Sequence, residues 1–200
     1  FFTTGPKLTG SEFIGDDNLN LTNPIEAKEK VISYKDRGYD FIKTYYGLDK
    51  EIFDAVIEQV KISEMDIVSH PSPKVPFSYH LNPQRTSIQH AEEIVQQPLH
   101  FDLETIKQQQ IIDSLSHSKH PRYSPTITVV NNIYQMMMDD SILDSEVLEY
   151  MNPLIKKVDS KKQFERWFNA KQEDPSTVER IKKQHDFHLK IIKKLHEAGV

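Results

Sequence analysis

Apolar positions along this chain switch between a helical and a strand period from Asn23 onward. Asn23 is a helix cap, Pro24 suits the first helical position, and Glu26 places an acid in the first turn. Val31 and Ile32 supply the apolar contacts of that helix, and Gly38 stops it. Tyr39 to Tyr45 then reads as a strand, and Asp49 is set to cap a second helix. On that helix Ile52, Phe53, Val56, Ile57 and Val60 share one face. A short strand over Asp66 to His70 leads into a loop broken by Pro71, Pro73, Pro76 and Pro83. A third strand is expected over Thr86 to His90, a helix from Leu103 to about Ser116, and a strand from Ser124 to Val130. The rest is expected to be mostly helix, closing on a long one from about Ser176 to Ala198.

Strands separated by helices imply parallel pairing through right-handed crossovers. Four strands are clear, and Phe1 to Thr4 reads as the tail of a fifth. A closed eight-stranded barrel takes about 250 residues. The pattern therefore fits either an open doubly wound sheet or part of a barrel. Both ends look cut, at Phe1 and at Gly199-Val200, so a segment of a longer protein is expected.

Three polar residues interrupt the strand pattern. Lys43 shares a face with Phe41 and Tyr45, His70 ends its strand on the face of Val68, and His90 ends its own on the face of Ile88 and Thr86. Function in parallel α/β folds collects at the carboxyl ends of strands. Successive strands thus deliver Lys, His and His to one rim, with Tyr45 either touching substrate there or simply packed.

The same residues carry a resemblance. Gly38-Tyr39-Asp40-Phe41-Ile42-Lys43 is similar to the "G-x-D-x-I-K" strand of amidohydrolases related to imidazolonepropionases and prolidases. Ile67-Val68-Ser69-His70 resembles their "V-x-x-H" strand, and Ser87-Ile88-Gln89-His90 resembles "S-I-E-H", with Gln89 in place of the usual Glu. Ser124-Pro125-Thr126-Ile127 is similar to the "P-T-L" of the seventh strand, and Ala198-Gly199-Val200 to the approach to the eighth. Gly5-Pro6-Lys7-Leu8-Thr9-Gly10 fits the segment after the third strand.

The resemblance implies an α/β fold, a partial TIM (β/α)8 barrel of roughly strands 3 to 7 with their helices. Residues 1–200 would be one incomplete barrel domain, with a helical insertion at about 139–174. It further implies a hydrolase of amide or related C–N bonds, in a dipeptide or cyclic amide, working through a metal-held hydroxide. Lys43, carboxylated, would bridge divalent ions, one or two of them and of zinc type; His70 and His90 would be ligands. The family's His-x-His and catalytic Asp are expected before Phe1 and beyond Val200, so this segment by itself is expected to hold metal weakly and to be inactive. The rival reading is a non-catalytic α/β scaffold or binding domain that has lost the metal.

Composition narrows the partners. No cysteine means that any metal is held by His or oxygen. The net charge of −5, with basic and acidic residues interspersed, argues against a nucleic-acid surface. No apolar run approaches the length of about 18 residues that spans a membrane. The expected partners are a small-molecule or peptide substrate and, since an open sheet leaves edges unpaired, a second copy or the remainder of its own chain. His185 and His188 form an H-x-x-H on the last helix, read here as a solvated face rather than a metal site.

Overall fold

Local signals near Asn23 act as the sequence suggests. In the computed structural model, which describes residues 2–10, 18–81, 86–90, 92–103, 105–117, 122–139, 149–150, 152–153 and 161–200, Asn23 Oδ1 accepts the Glu26 amide at 2.9 Å. Glu26 reaches back to accept the Thr22 amide and hydroxyl, each at 3.0 Å, so one orphan donor of helix α1 (Pro24–Asp36) is capped and the chain entering it is pinned. Gly38 leaves the helix at φ +79°, and strand β3 (Phe41–Thr44) follows. Helix α2 (Lys50–Ile62) leads to β4 (Asp66–Ser69). Asp49 stands at the cap of α2 with extended dihedrals but bonds none of its amides; its carboxylate pairs with Lys74 at 3.2 Å instead.

Two strands were not expected. β1 (Lys7–Gly10) and β2 (Asn18–Leu21) precede α1, and Thr4 makes only an isolated bridge to Phe41. After β4 come a 3-10 turn at Phe77–Leu81, β5 (Thr86–Gln89), a short α3 (Glu92–Gln96), α4 (Thr105–His117) and β6 (Arg122–Ser124). The strand expected over Ser124 to Val130 is thus displaced: it ends at Ser124, and α5 (Thr128–Met138) takes the β-branched run. Pro125 lacks the amide a ladder needs, and strand propensity is a weak prior against tertiary context.

All strands pair in parallel, in the order β2-β1-β3-β4-β5-β6. Leu8, Ile42 and Ile67 on one face pack with Ala27 and Val31 of α1 and Phe53 and Val56 of α2 into one apolar core. The opposite face carries Lys7, Phe41, Lys43, Val68, Ser87 and Gln89, each only partly buried. One dry face and one half-open polar face locate the chemistry.

The chain divides into two compact units, Phe1–Pro125 with Ile191–Val200, and Thr126–Lys190. Within the second, α5 packs on α6 (Lys161–Glu173), where Lys171 Nζ donates to the Met137 carbonyl at 2.8 Å and Phe164 stacks on Phe168. The long closing helix expected from Ser176 is α7 (Ser176–Glu197). Much of the insertion expected at 139–174 lies outside the described residues. Among the described residues no helix is long and apolar enough to cross a membrane.

Candidate functional site

Three amides just past the strand ends extend the ladder by one rung. Tyr45 donates to the Leu8 carbonyl at 2.8 Å, His70 to Thr44 at 3.0 Å and His90 to Ser124 at 2.9 Å. The sheet itself therefore fixes the backbone of each residue. In the β3–β4 register Lys43 lies opposite Val68 and Thr44 opposite Ser69, so alternation puts His70 on the face of Lys43. Tyr45 is its neighbour one rung on, with ring centres 4.4 Å apart, and Lys7 Nζ sits 4.7 Å over the tyrosine ring.

His90 arrives by a different route from the one expected. The register places Ile88 opposite Ser69, on the buried helix side, so simple alternation would turn His90 away from His70. Instead His90 has φ +75°, a left-handed conformation that costs a non-glycine residue about 1 kcal/mol or more. That twist swings its ring to 5.1 Å, centre to centre, from the ring of His70.

His70 Nε2 lies 2.9 Å from Glu93 Oε1, and Glu93 is almost wholly buried. Gln97 Nε2 donates to Glu93 Oε2 at 2.6 Å and to the Pro71 carbonyl at 2.6 Å. His70 Nδ1, also buried, has no hydrogen-bond partner among the described residues.

Lys43 lines a cavity of about 570 Å³ with Thr4, Gly5, Pro6, Lys7 and Val68. Burial, helped by the Lys7 charge and opposed by Glu93, lowers its pKa to about 8. Burial likewise lowers His90 to about 4, with Lys43 and His70 pushing the same way. His90 is therefore held in the neutral, lone-pair form that a ligand needs, and the neutral amine of Lys43 is more accessible than that of a free lysine.

Behind the rim Thr44 Oγ1 donates to Ser69 Oγ at 3.1 Å, and Ser69 Oγ lies 3.3 Å from His80 Nδ1. His80 is buried against Phe53, and burial pulls its pKa down to about 4. The unfolded chain takes up a proton near the ordinary value of 6.5 and the folded chain does not. Stability is therefore present above about pH 6.5 and lost as pH falls toward 4, by roughly 3 kcal/mol for this one group. Urea unfolding at pH 7 and pH 4.5 should show a smaller acid loss in His80→Leu than in the wild type; equal losses would refute the assignment.

No family model matches the sequence, and no curated protein does. The fold is similar to one already solved. That structure is "AH, Bottromycin amidohydrolase", with a TM-score of 0.66 and 18% identity, over 96% of this chain. The chain spans 42% of the length of that neighbour.

Zinc-type ions accept imidazole nitrogen at about 2.0 to 2.1 Å, which sets two imidazoles on one tetrahedral ion with ring centres about 5 Å apart. The His70–His90 pair has that spacing, and Nδ1 of His70 is buried with no hydrogen-bond partner among the described residues, so these two rings fit a shared ion. They do not complete a site: among the described residues no three His, Asp or Glu side chains are placed to hold one. Lys43, once carboxylated, would add an oxygen donor. The H-x-x-H of α7 is not a solvated face, since His188 is fully buried and its pKa is held near 4 by that burial.

Glu93 and Gln97 escaped the sequence reading. The signal available was the spacing His90 to Glu93, an H-x-x-E across a strand end, but nothing in the sequence showed that the acid would serve the other histidine.

Proposed function

We propose that the chain is part of a metal-dependent hydrolase acting on an amide or related C–N bond of a small molecule or peptide. The observation that carries this reading is the meeting of the His70 and His90 rings beyond the carboxyl ends of adjacent parallel strands, with Lys43 one strand away on the same face. The half-open polar face suits the inner wall of a TIM barrel completed by strands elsewhere in the protein. The likeness to an amidohydrolase supports the fold of this reading.

Each residue has a distinct task. His90 offers a neutral imidazole and His70 a second imidazole nitrogen, and the amine of Lys43, once deprotonated, can take up carbon dioxide, releasing one proton and forming a carbamate. His70, His90 and the carboxylated Lys43 would hold a zinc-type ion, which would supply Lewis-acid polarisation of the scissile carbonyl and an acidified water. Tyr45, packed on His70 and facing the rim, orients substrate.

Chelator treatment of the full-length protein should abolish hydrolysis of dipeptide or cyclic amide substrates, and zinc should restore it. Hydrolysis that survives complete metal removal would end the proposal. The rival scaffold reading predicts full-length protein with neither metal nor turnover.

A further inference from the structure

Glu93 is the most deeply buried acid beside the rim, and it lies on α3, not on a strand end. Both of its oxygens are committed, Oε1 to His70 Nε2 at 2.9 Å and Oε2 to Gln97 Nε2 at 2.6 Å. Gln97 is held in turn by the Pro71 carbonyl, directly after His70. The backbone closes the same loop, because the Gln97 amide donates to the Glu93 carbonyl at 3.0 Å. Acid, amide and imidazole therefore form a clamp anchored on both sides of the His70 ring.

We propose that Glu93 is a positioning residue that fixes the tautomer and orientation of His70, leaving Nδ1 as its metal-facing nitrogen. A carboxylate can only accept, so the bond requires the ring proton on Nε2. In the neutral ring the lone pair then belongs to Nδ1, which is buried and has no hydrogen-bond partner among the described residues. A neutral imidazole whose proton is engaged by a carboxylate is a better oriented and more basic donor. This inference rests on the metal reading above, but the tautomer it assigns exists with or without an ion.

The near-isosteric Glu93→Gln variant separates the two. Its amide keeps one acceptor oxygen but loses the negative charge and turns the other oxygen into a donor, so the hold on the Nε2 proton weakens. In full-length protein freed of metal, nitrogen-15 NMR of the histidine rings should show His70 as a single Nε2–H tautomer in the wild type and a mixture in the variant. Zinc(II), titrated in competition with a chelating dye, should bind the variant about 10-fold to 100-fold more weakly. Gln97→Met, which removes the clamp but keeps the acid, should weaken zinc by about 3-fold to 10-fold and provides the test if Glu93→Gln does not fold. An unchanged tautomer in the variant overturns the positioning role, and so does zinc affinity within about 2-fold of wild type in both variants. A wild type that binds no zinc overturns the proposed function instead, while the tautomer comparison still decides the role of Glu93.

Discussion

Alanine at His90 of the full-length protein is expected to lower amide hydrolysis by at least about 10³-fold, and alanine at His70 by as much. Acidifying a water from the bulk value to near neutrality, and polarising a carbonyl, together supply several kcal/mol of barrier, and each tenfold in rate is about 1.4 kcal/mol. Losing one of few protein ligands forfeits most of that. The two variants should differ in stability. His70→Ala removes the hydrogen bond to Oε1 of the buried Glu93 and leaves that oxygen without its partner, which costs about 1 to 3 kcal/mol. His90 is only partly buried and its φ of +75° is already unfavourable, so His90→Ala should cost far less. Steady-state kinetics and urea unfolding on the same preparations check both statements. Activity of either variant within about 10-fold of wild type contradicts the ligand roles.

Gly10→Ala carries the largest expected effect on folding. A Cβ at Gly10 would stand 1.8 Å from the Gly47 carbonyl oxygen and 2.3 Å from its carbon. Backbone cannot step aside as a side-chain tip can, and the Gly10 amide is already bonded to the Tyr46 carbonyl at 3.0 Å. The strand end of β1 must part from the loop that carries Tyr45 and Tyr46 against His70. The expected loss is about 3 kcal/mol or more, among the large single-substitution effects. Gly38→Ala is the control, since a Cβ there meets nothing within 4 Å and only its φ of +79° is penalised. That change should cost about 1 kcal/mol. Equal midpoints for the two variants in urea would refute the close approach.

Helices α1 and α2 and strands β3, β4 and β5 were legible because each is written locally. Asn23, Glu26 and Gly38 bracket a helix by capping chemistry, and the apolar stripe from Ile52 to Val60 needs no knowledge of its partners. β1 and β2 have no such signature. Lys7-Leu8-Thr9-Gly10 and Asn18-Leu19-Asn20-Leu21 become strands because β3 offers an edge beside which they can pair, and Leu8 and Leu21 find the core. The strand expected over Ser124 to Val130 was misplaced for the opposite reason, Thr128, Val129 and Val130 being drawn into helix α5.

At the rim, strand ends told which residues gather but not how. Alternation was enough for Lys43 and His70. It failed for His90, whose left-handed backbone is invisible to a period of two. Glu93 was hidden more deeply, since its significance depends on facing a residue on the neighbouring strand.

Metal content of the full-length protein tests the central claim most directly, comparing wild type with His70→Ala and His90→Ala by elemental analysis after dialysis. The account predicts a divalent ion of zinc type in the wild type and strongly reduced content in both variants. Full metal in both variants would show that His70 and His90 are structural, and would contradict it.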